Sequence, residues 1–216
     1  MKQVNFYSED VRLELIHPKP ASRFLPEWFK KLPGVVKGTE TIKKCMPFMD
    51  AMTSGYMIVL AADVQFDGEE FHQISKIPMV TKHLGEQLGD IDLPLEYHKQ
   101  PWKWQNLFVM KTPKGYSTLF SHPLNRIDLP FYSLSGVVDT DTFPAAVNFP
   151  FFIKKDFRGI IEEGTPIAQA IPFKRSNWKH HVEDVKPYKM PMSFYSHANP
   201  PFNFYKRHFW SKKRYQ

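Results

Sequence analysis

Between Ser135 and Arg175, in SGVVDTDTFPAAVNFPFFIKKDFRGIIEEGTPIAQAIPFKR, apolar runs and turn signals alternate more regularly than anywhere else in the chain. Val137 and Val138 lead into the acidic turn Asp139-Thr140-Asp141, and Ala145 to Ile153 supplies a β-branched and aromatic run interrupted by Pro150. A Lys-Lys-Asp turn and Gly159 precede Ile160 and Ile161, and the turn Glu162-Glu163-Gly164 then opens a last strand from Ile167 to Phe173. Runs this short and closely spaced leave no room for crossover helices. A parallel βαβ sheet is disfavoured, and a mainly β barrel or sandwich is expected.

The remainder of the chain agrees with a loop-rich β protein. Nineteen Pro against ten Gly works against long helices and central strands alike. A 42% hydrophobic content with 15% aromatics is too apolar for a disordered chain, and 216 residues fit one domain with extensions. No apolar run approaches the roughly 18 residues of a membrane span, so no membrane partner is expected. The opening MKQVNFYSED has no apolar core of a signal peptide, and the single Cys45 cannot form an internal disulfide. Both features fit a cytoplasmic, reducing setting.

Motifs on either side of this stretch carry a family resemblance. Gly136-Val137-Val138-Asp139-Thr140-Asp141 and, further on, Gly164-Thr165-Pro166-Ile167-Ala168-Gln169 are similar to the back half of the trimeric dUTPase family, with its Gly-Val-Ile-Asp-x-Asp-Tyr-Arg-Gly and Gly-Asp-Arg-Ile-Ala-Gln patterns. Upstream, Ala51 to Tyr56 followed by Leu60-Ala61-Ala62-Asp63-Val64 resembles the family's first motif, and Leu119 to Arg126 lies where the family places its Pro-Arg-Ser phosphate-binding turn. The resemblance spans residues 48 to 175 in the family's motif order. It implies a dUTPase-like distorted barrel of the β-clip type, a trimer, and a nucleotide site at which Asp139 would activate water. Gly55, Tyr56, Arg126, Asp141, Phe143 and Gln169 would bind ligand there.

The chain departs from the family where the chemistry sits. Met57 stands in place of the first-motif Asp, Leu124 and Asn125 in place of the second-motif Arg and Ser, Phe143 in place of the Tyr, and Pro166 in place of the last Arg. Downstream of Arg175 there is no Gly for the arm that closes over the nucleotide. A triphosphate would find little to neutralise it, and phosphoryl chemistry depends on that neutralisation. The expectation is therefore a dUTPase-like fold without hydrolysis, acting in binding, assembly or regulation. The segment PASRFLPEWFKKLP also resembles proteins encoded by phages and bacteria, a likeness that implies no activity and a host cytoplasm or virion as the setting.

Three regions follow. Residues 1–47 hold a strand expected over Gln3 to Ile16 and a short amphipathic helix with Phe24, Leu25, Trp28, Phe29 and Leu32 on one face. Residues 48–175 form the β-domain. In it, Tyr56 to Leu60 and Val64 to Phe66 are expected to pair, Asp67-Gly68 to turn a hairpin, and Trp102 to Lys111 to run as one strand beside Gly115 to Ser121. Thr41 to Phe48 reads as a bridge, and residues 78–100 as an irregular excursion. Residues 176–216 form a basic aromatic extension.

The net charge of +7 is focused at one place only, the end FYKRHFWSKKRYQ. There Tyr205 and Trp210 interleave with Lys206, Arg207, Lys212, Lys213 and Arg214, a pattern suited either to nucleic acid or another anionic ligand, or to burial against a second subunit. Two enzyme alternatives stay open: a divergent nucleotide hydrolase using Asp139, and a β-barrel oxygenase using His181 and Glu183 with His197 or His208. No metal site and no cofactor is predicted, with Mg and Fe left open by those two alternatives. An Asx turn at Asp139 and Asp141, bonded to backbone amides, is the plainer alternative to acid-base chemistry.

Overall fold

The nine-residue strand Pro166–Lys174 is the longest element among the described residues and the axis of the largest sheet. The computed structural model describes residues 2–8, 16–73, 75–89, 94–182 and 204–216. In chain order the elements are β1 (Asn5–Tyr7), β2 (Lys19–Pro20), α1 (Glu27–Lys31), β3 (Val35–Val36), β4 (Thr39–Glu40), α2 (Met46–Thr53), β5 (Tyr56–Val59), β6 (Val64–Phe66), β7 (Phe71–Gln73) and β8 (Val80–Lys82). They continue with β9 (Trp102–Trp104), β10 (Val109–Lys111), β11 (Tyr116–Ser121), β12 (Phe131–Ser133), β13 (Gly136–Val138), β14 (Phe149–Ile153), β15 (Gly159–Ile161), β16 (Pro166–Lys174) and α3 (Phe204–His208).

The protein is mainly β, and every strand pairing among the described residues is antiparallel. The largest sheet has the order β13-β11-β16-β5-β2; a second runs β12-β14-β9-β8 and a third β15-β6-β7. Two further pairs, β1-β10 and β3-β4, stand apart. These sheets do not close on themselves, so the expected barrel is replaced by several small open sheets. In each of the three larger sheets the first and last strands of the order are edges, not partners of each other.

The core lies between the sheets and is built from rings. Trp104 stacks on Phe151 with centroids 3.9 Å apart and planes 7° apart, and Phe131 and Phe71 meet this pair edge-on. Phe120 and Thr118 on β11 point inward, so Ser117, Leu119 and Ser121 face the other side of the largest sheet. Part of that outer face is roofed by α2. Phe29 of α1 is buried and stacks on Phe48 of α2 at 6.0 Å, which seats the N-terminal segment on the same roof.

Several expected pairings are corrected. β5 and β6 belong to different sheets, separated by the bend at Ala61 and Ala62. The run Trp102 to Lys111 is two strands. Asn106 breaks it by bonding the amide and carbonyl of Phe108 through its side chain, and its own amide donates to Asn148 Oδ1. β10 then pairs with β1, not with β11. The bridge from Thr41 to Phe48 contains the start of α2, in which Pro47 occupies the first turn, where a missing N–H costs nothing. The stretch 78–100 contributes β8, and Tyr97 bridges to Lys154. The hairpin at Asp67-Gly68 forms: Asp67 Oδ1 accepts the amides of Glu69 and Glu70, and β6 pairs with β7. Residues 9–15 of the expected N-terminal strand lie outside the described residues.

Candidate functional site

β11 carries one cluster of sequence-expected site residues at each end. At its start, the turn after β13 places Asp139 opposite Ser117, whose hydroxyl donates to Asp139 Oδ1 at 2.6 Å. Arg175, just past β16, donates from Nη1 to the same Oδ1 at 3.1 Å. It also grips Asp141, with Nη1 2.8 Å from Oδ1 and Nη2 2.5 Å from Oδ2, while the Gly115 amide donates to Oδ2 at 2.8 Å. The Asp141 side chain is 3% exposed and that of Asp139 is 61% exposed. Hydrogen bonds from Arg175 above all, then from the Gly115 amide, hold the Asp141 carboxyl well below the usual carboxylate range. Thr140 between them is buried and shares hydroxyl hydrogen bonds with Thr112 and Thr118. The result is a clamp joining β11, β13 and β16. Phe143 follows, 41% exposed, its amide bonded to the Asp139 carbonyl.

At the other end of β11 the organising group is Gln169, fully buried on β16. Its Oε1 accepts the Leu124 amide at 2.9 Å, and its Nε2 donates to the carbonyls of Ala51 and Ser54 at 2.8 and 2.7 Å. One side chain therefore ties the Pro123–Arg126 turn to the end of α2. Gly55 completes the junction: it has φ +71°, and a Cβ there would lie 2.0 Å from the Ala170 carbonyl oxygen. Asn125 takes φ 62° in the turn and donates from Nδ2 to the Phe48 carbonyl. Tyr56 packs edge-on against Phe6 and Tyr215, and burial pushes its hydroxyl pKa upward. Gly55, Gln169 and the turn bearing Arg126 thus converge. Asp139 and Asp141 do not join them; four residues of β11 separate the two ends, about 13 Å at about 3.3 Å per residue.

Arg126 is engaged internally. Its Nε and Nη2 both bond Asp128, its Nη1 reaches the Phe24 carbonyl, and Trp28 adds an indole hydrogen bond to Asp128. Burial works against the Asp128 charge, yet the Arg126 hydrogen bonds and charge hold its carboxyl below the usual range. Beside this pair lies a cleft of about 410 Å³, lined among others by Tyr97, Ser121, His122, Leu129, Tyr132 and Lys154. His122 Nε2–H donates to the Arg126 carbonyl at 3.1 Å, and Nδ1 accepts the Ser133 amide at 3.3 Å. Since an amide can only donate, the ring is the neutral Nε2–H form. Burial lowers its pKa most, with the charges of Arg126 and Lys154 pushing the same way. Five of these residues, Tyr97, Ser121, Leu129, Tyr132 and Lys154, were not singled out from sequence. They come from separate elements, and no local pattern links them.

The basic tail packs on its own chain. Trp210 Nε1 and Lys213 Nζ both reach Asp50 Oδ2 on α2, at 2.8 and 2.5 Å, while Lys206, Arg207, Lys212 and Arg214 are exposed, as is Tyr205 at 45%. His181 is exposed; Glu183 and His197 lie outside the described residues. Among the described residues no three His, Cys, Asp or Glu side chains stand close enough together to hold a metal ion. No described helix is long and apolar enough to cross a membrane. Comparison with protein-family models and with curated proteins finds no match to this chain.

Proposed function

We propose that this protein binds and assembles but does not hydrolyse nucleotides, on a strand arrangement of the dUTPase type. The observation that carries this is the Arg175 clamp. A general base needs a carboxylate free to take a proton at the reacting water, whereas Asp141 is bonded by two guanidinium nitrogens and an amide, and Asp139, though 61% exposed, has its Oδ1 tied to Ser117 and the same arginine. Arg126, at the position aligned with the phosphate turn, is neutralised by Asp128. Met57, in place of a metal-binding Asp, is buried in the sheet and offers no ligand to a magnesium triphosphate.

Assembly as a homo-oligomer, a trimer by the resemblance, is part of the proposal. It is supported by an apolar row on the outer face of the largest sheet, where Val137 is 61% exposed and Phe173 40%, next to the edge strand β13. Incubation of the pure protein with dUTP and magnesium should release no pyrophosphate above a buffer blank. Sedimentation should give three times the 25.4 kDa chain mass. A monomer would reject the assembly half, and Asp139-dependent pyrophosphate release would reject the other.

A further inference from the structure

The C-terminal tail and the N-terminal segment build one groove between them. A cleft of about 560 Å³ is lined by Phe6, Lys19, Arg23 and Tyr56 among others, and a second of about 660 Å³ by Met46, Asp50, Lys206 and Trp210 among others. Ser22, Tyr215 and Gln216 line both, so the two clefts adjoin. The walls are brought together where Trp210 Nε1 donates to Asp50 Oδ2 at 2.8 Å and where Tyr215 meets the Tyr56 ring edge-on at 6.0 Å.

Charge along this groove is one-sided. Lys19 and Arg23 stand in the first cleft and Lys206, Lys212, Lys213 and Arg214 in the second, whereas Asp50 is the one acidic side chain among the described residues that line either. Asp50 is matched by Lys213. Arg23, Lys206, Lys212 and Arg214 are exposed and enter no ion pair among the described residues, and the Gln216 main-chain carboxylate offsets only one of the four. Cations spread over both clefts suit a run of phosphates better than a single one. The rings beside them are already fixed, Trp210 by Asp50 and Tyr215 by Tyr56, so little side-chain freedom is left to lose when a flat group packs there. A second subunit is the poorer occupant of this face, because unpaired charge is costly in the core of a subunit interface.

We propose that this groove binds single-stranded nucleic acid, with phosphates along Arg23, Lys206, Lys212 and Arg214 and bases against Tyr215 and Trp210. The proposal names a partner for the binding role above and rests on that reading, but it uses residues apart from the Arg175 clamp. Pyrophosphate release through Asp139 would overturn the non-hydrolytic role and leave the groove untouched. Absence of strand binding would do the reverse.

Fluorescence anisotropy of the whole chain with labelled dT and rU oligomers of about twelve nucleotides is the test. Saturable binding is expected, weakening with salt at a log–log slope of about −2 to −3, since each phosphate contact on a single strand contributes about −0.7. Arg23→Gln, far from the tail in sequence and with no ion pair to lose, should weaken binding several-fold and make the slope shallower by about 0.7, with Tm unchanged. Tyr215→Leu removes a ring and no charge, and should weaken binding by at least about fivefold at an unchanged slope. A duplex of the same length should bind several-fold more weakly than the single strand, because its bases are already stacked. Failure of both oligomers to saturate at about 50 mM salt would overturn the proposal. So would unchanged affinity in Arg23→Gln or in Tyr215→Leu, tighter binding of the duplex, or binding to phosphatidylserine vesicles in place of the oligomers.

Discussion

Arg175 holds Asp141 through both terminal nitrogens, Nη1 to Oδ1 at 2.8 Å and Nη2 to Oδ2 at 2.5 Å, in the two-pronged geometry that suits guanidinium and carboxylate best. The pair joins residues 34 apart in sequence and fastens the end of β16 to the turn after β13. A carboxylate so placed stiffens a sheet corner.

Arg175→Met should therefore lower Tm by several degrees at neutral pH. Asp141 has a folded-state pKa below its unfolded one. Its contribution is present above the unfolded value of about 3.9 and is lost as pH falls through the lower folded value. Melts followed by circular dichroism should show wild type and Arg175→Met far apart at pH 6 and converging below about pH 3. A gap independent of pH would assign the effect to lost packing instead.

Gln169 is the second structural commitment. Gln169→Leu leaves the Leu124 amide and the carbonyls of Ala51 and Ser54 without their partner inside the protein. At roughly 1–3 kcal/mol for each stranded buried group, a loss of about 3–5 kcal/mol is expected in urea unfolding. Gly55→Ala should be of comparable severity, since the new Cβ would meet the Ala170 carbonyl oxygen at 2.0 Å in a left-handed backbone.

Much of this was legible in sequence, and what was missed has definable causes. The run from Ile167 to Phe173 after the turn at Gly164 placed β16, and the dense run before Lys154 placed β14, because turn signals and apolar runs are local. Pro47 hid α2, since proline marks a break only beyond the first turn. Asn106 hid the division of Trp102 to Lys111, because its bond to Asn148 spans 42 residues. For the site, the junction of Gly55, Gln169 and the Arg126 turn followed motif order. The cleft did not, because Ser121, Tyr132 and Lys154 are brought together only by the stacking of three strands.

His122 gives a second pH signature. Its folded pKa lies below the unfolded value of about 6.5, so the unfolded chain binds the proton more readily. Stability from the neutral ring is complete above about pH 6.5 and falls as pH drops through the folded value. Tm should decline between about pH 7 and pH 5, and His122→Gln should flatten that decline while lowering Tm at pH 7.

The tail is tethered to α2 through Asp50, which accepts from both Trp210 and Lys213. Asp50→Ala should speed tryptic cleavage at Lys206, Arg207 and Arg214 several-fold while leaving the rest of the chain resistant. If single-stranded nucleic acid binds the exposed Lys206, Arg207, Lys212 and Arg214, removal of residues 204–216 should abolish that binding and its salt dependence together.

Pyrophosphate release from dUTP and the other deoxynucleoside triphosphates, measured with magnesium in wild type and Asp139→Asn side by side, bears most directly on the claim that this fold binds without hydrolysing. Indistinguishable traces at the buffer rate are expected for both proteins. Steady turnover by wild type that disappears in Asp139→Asn would contradict it.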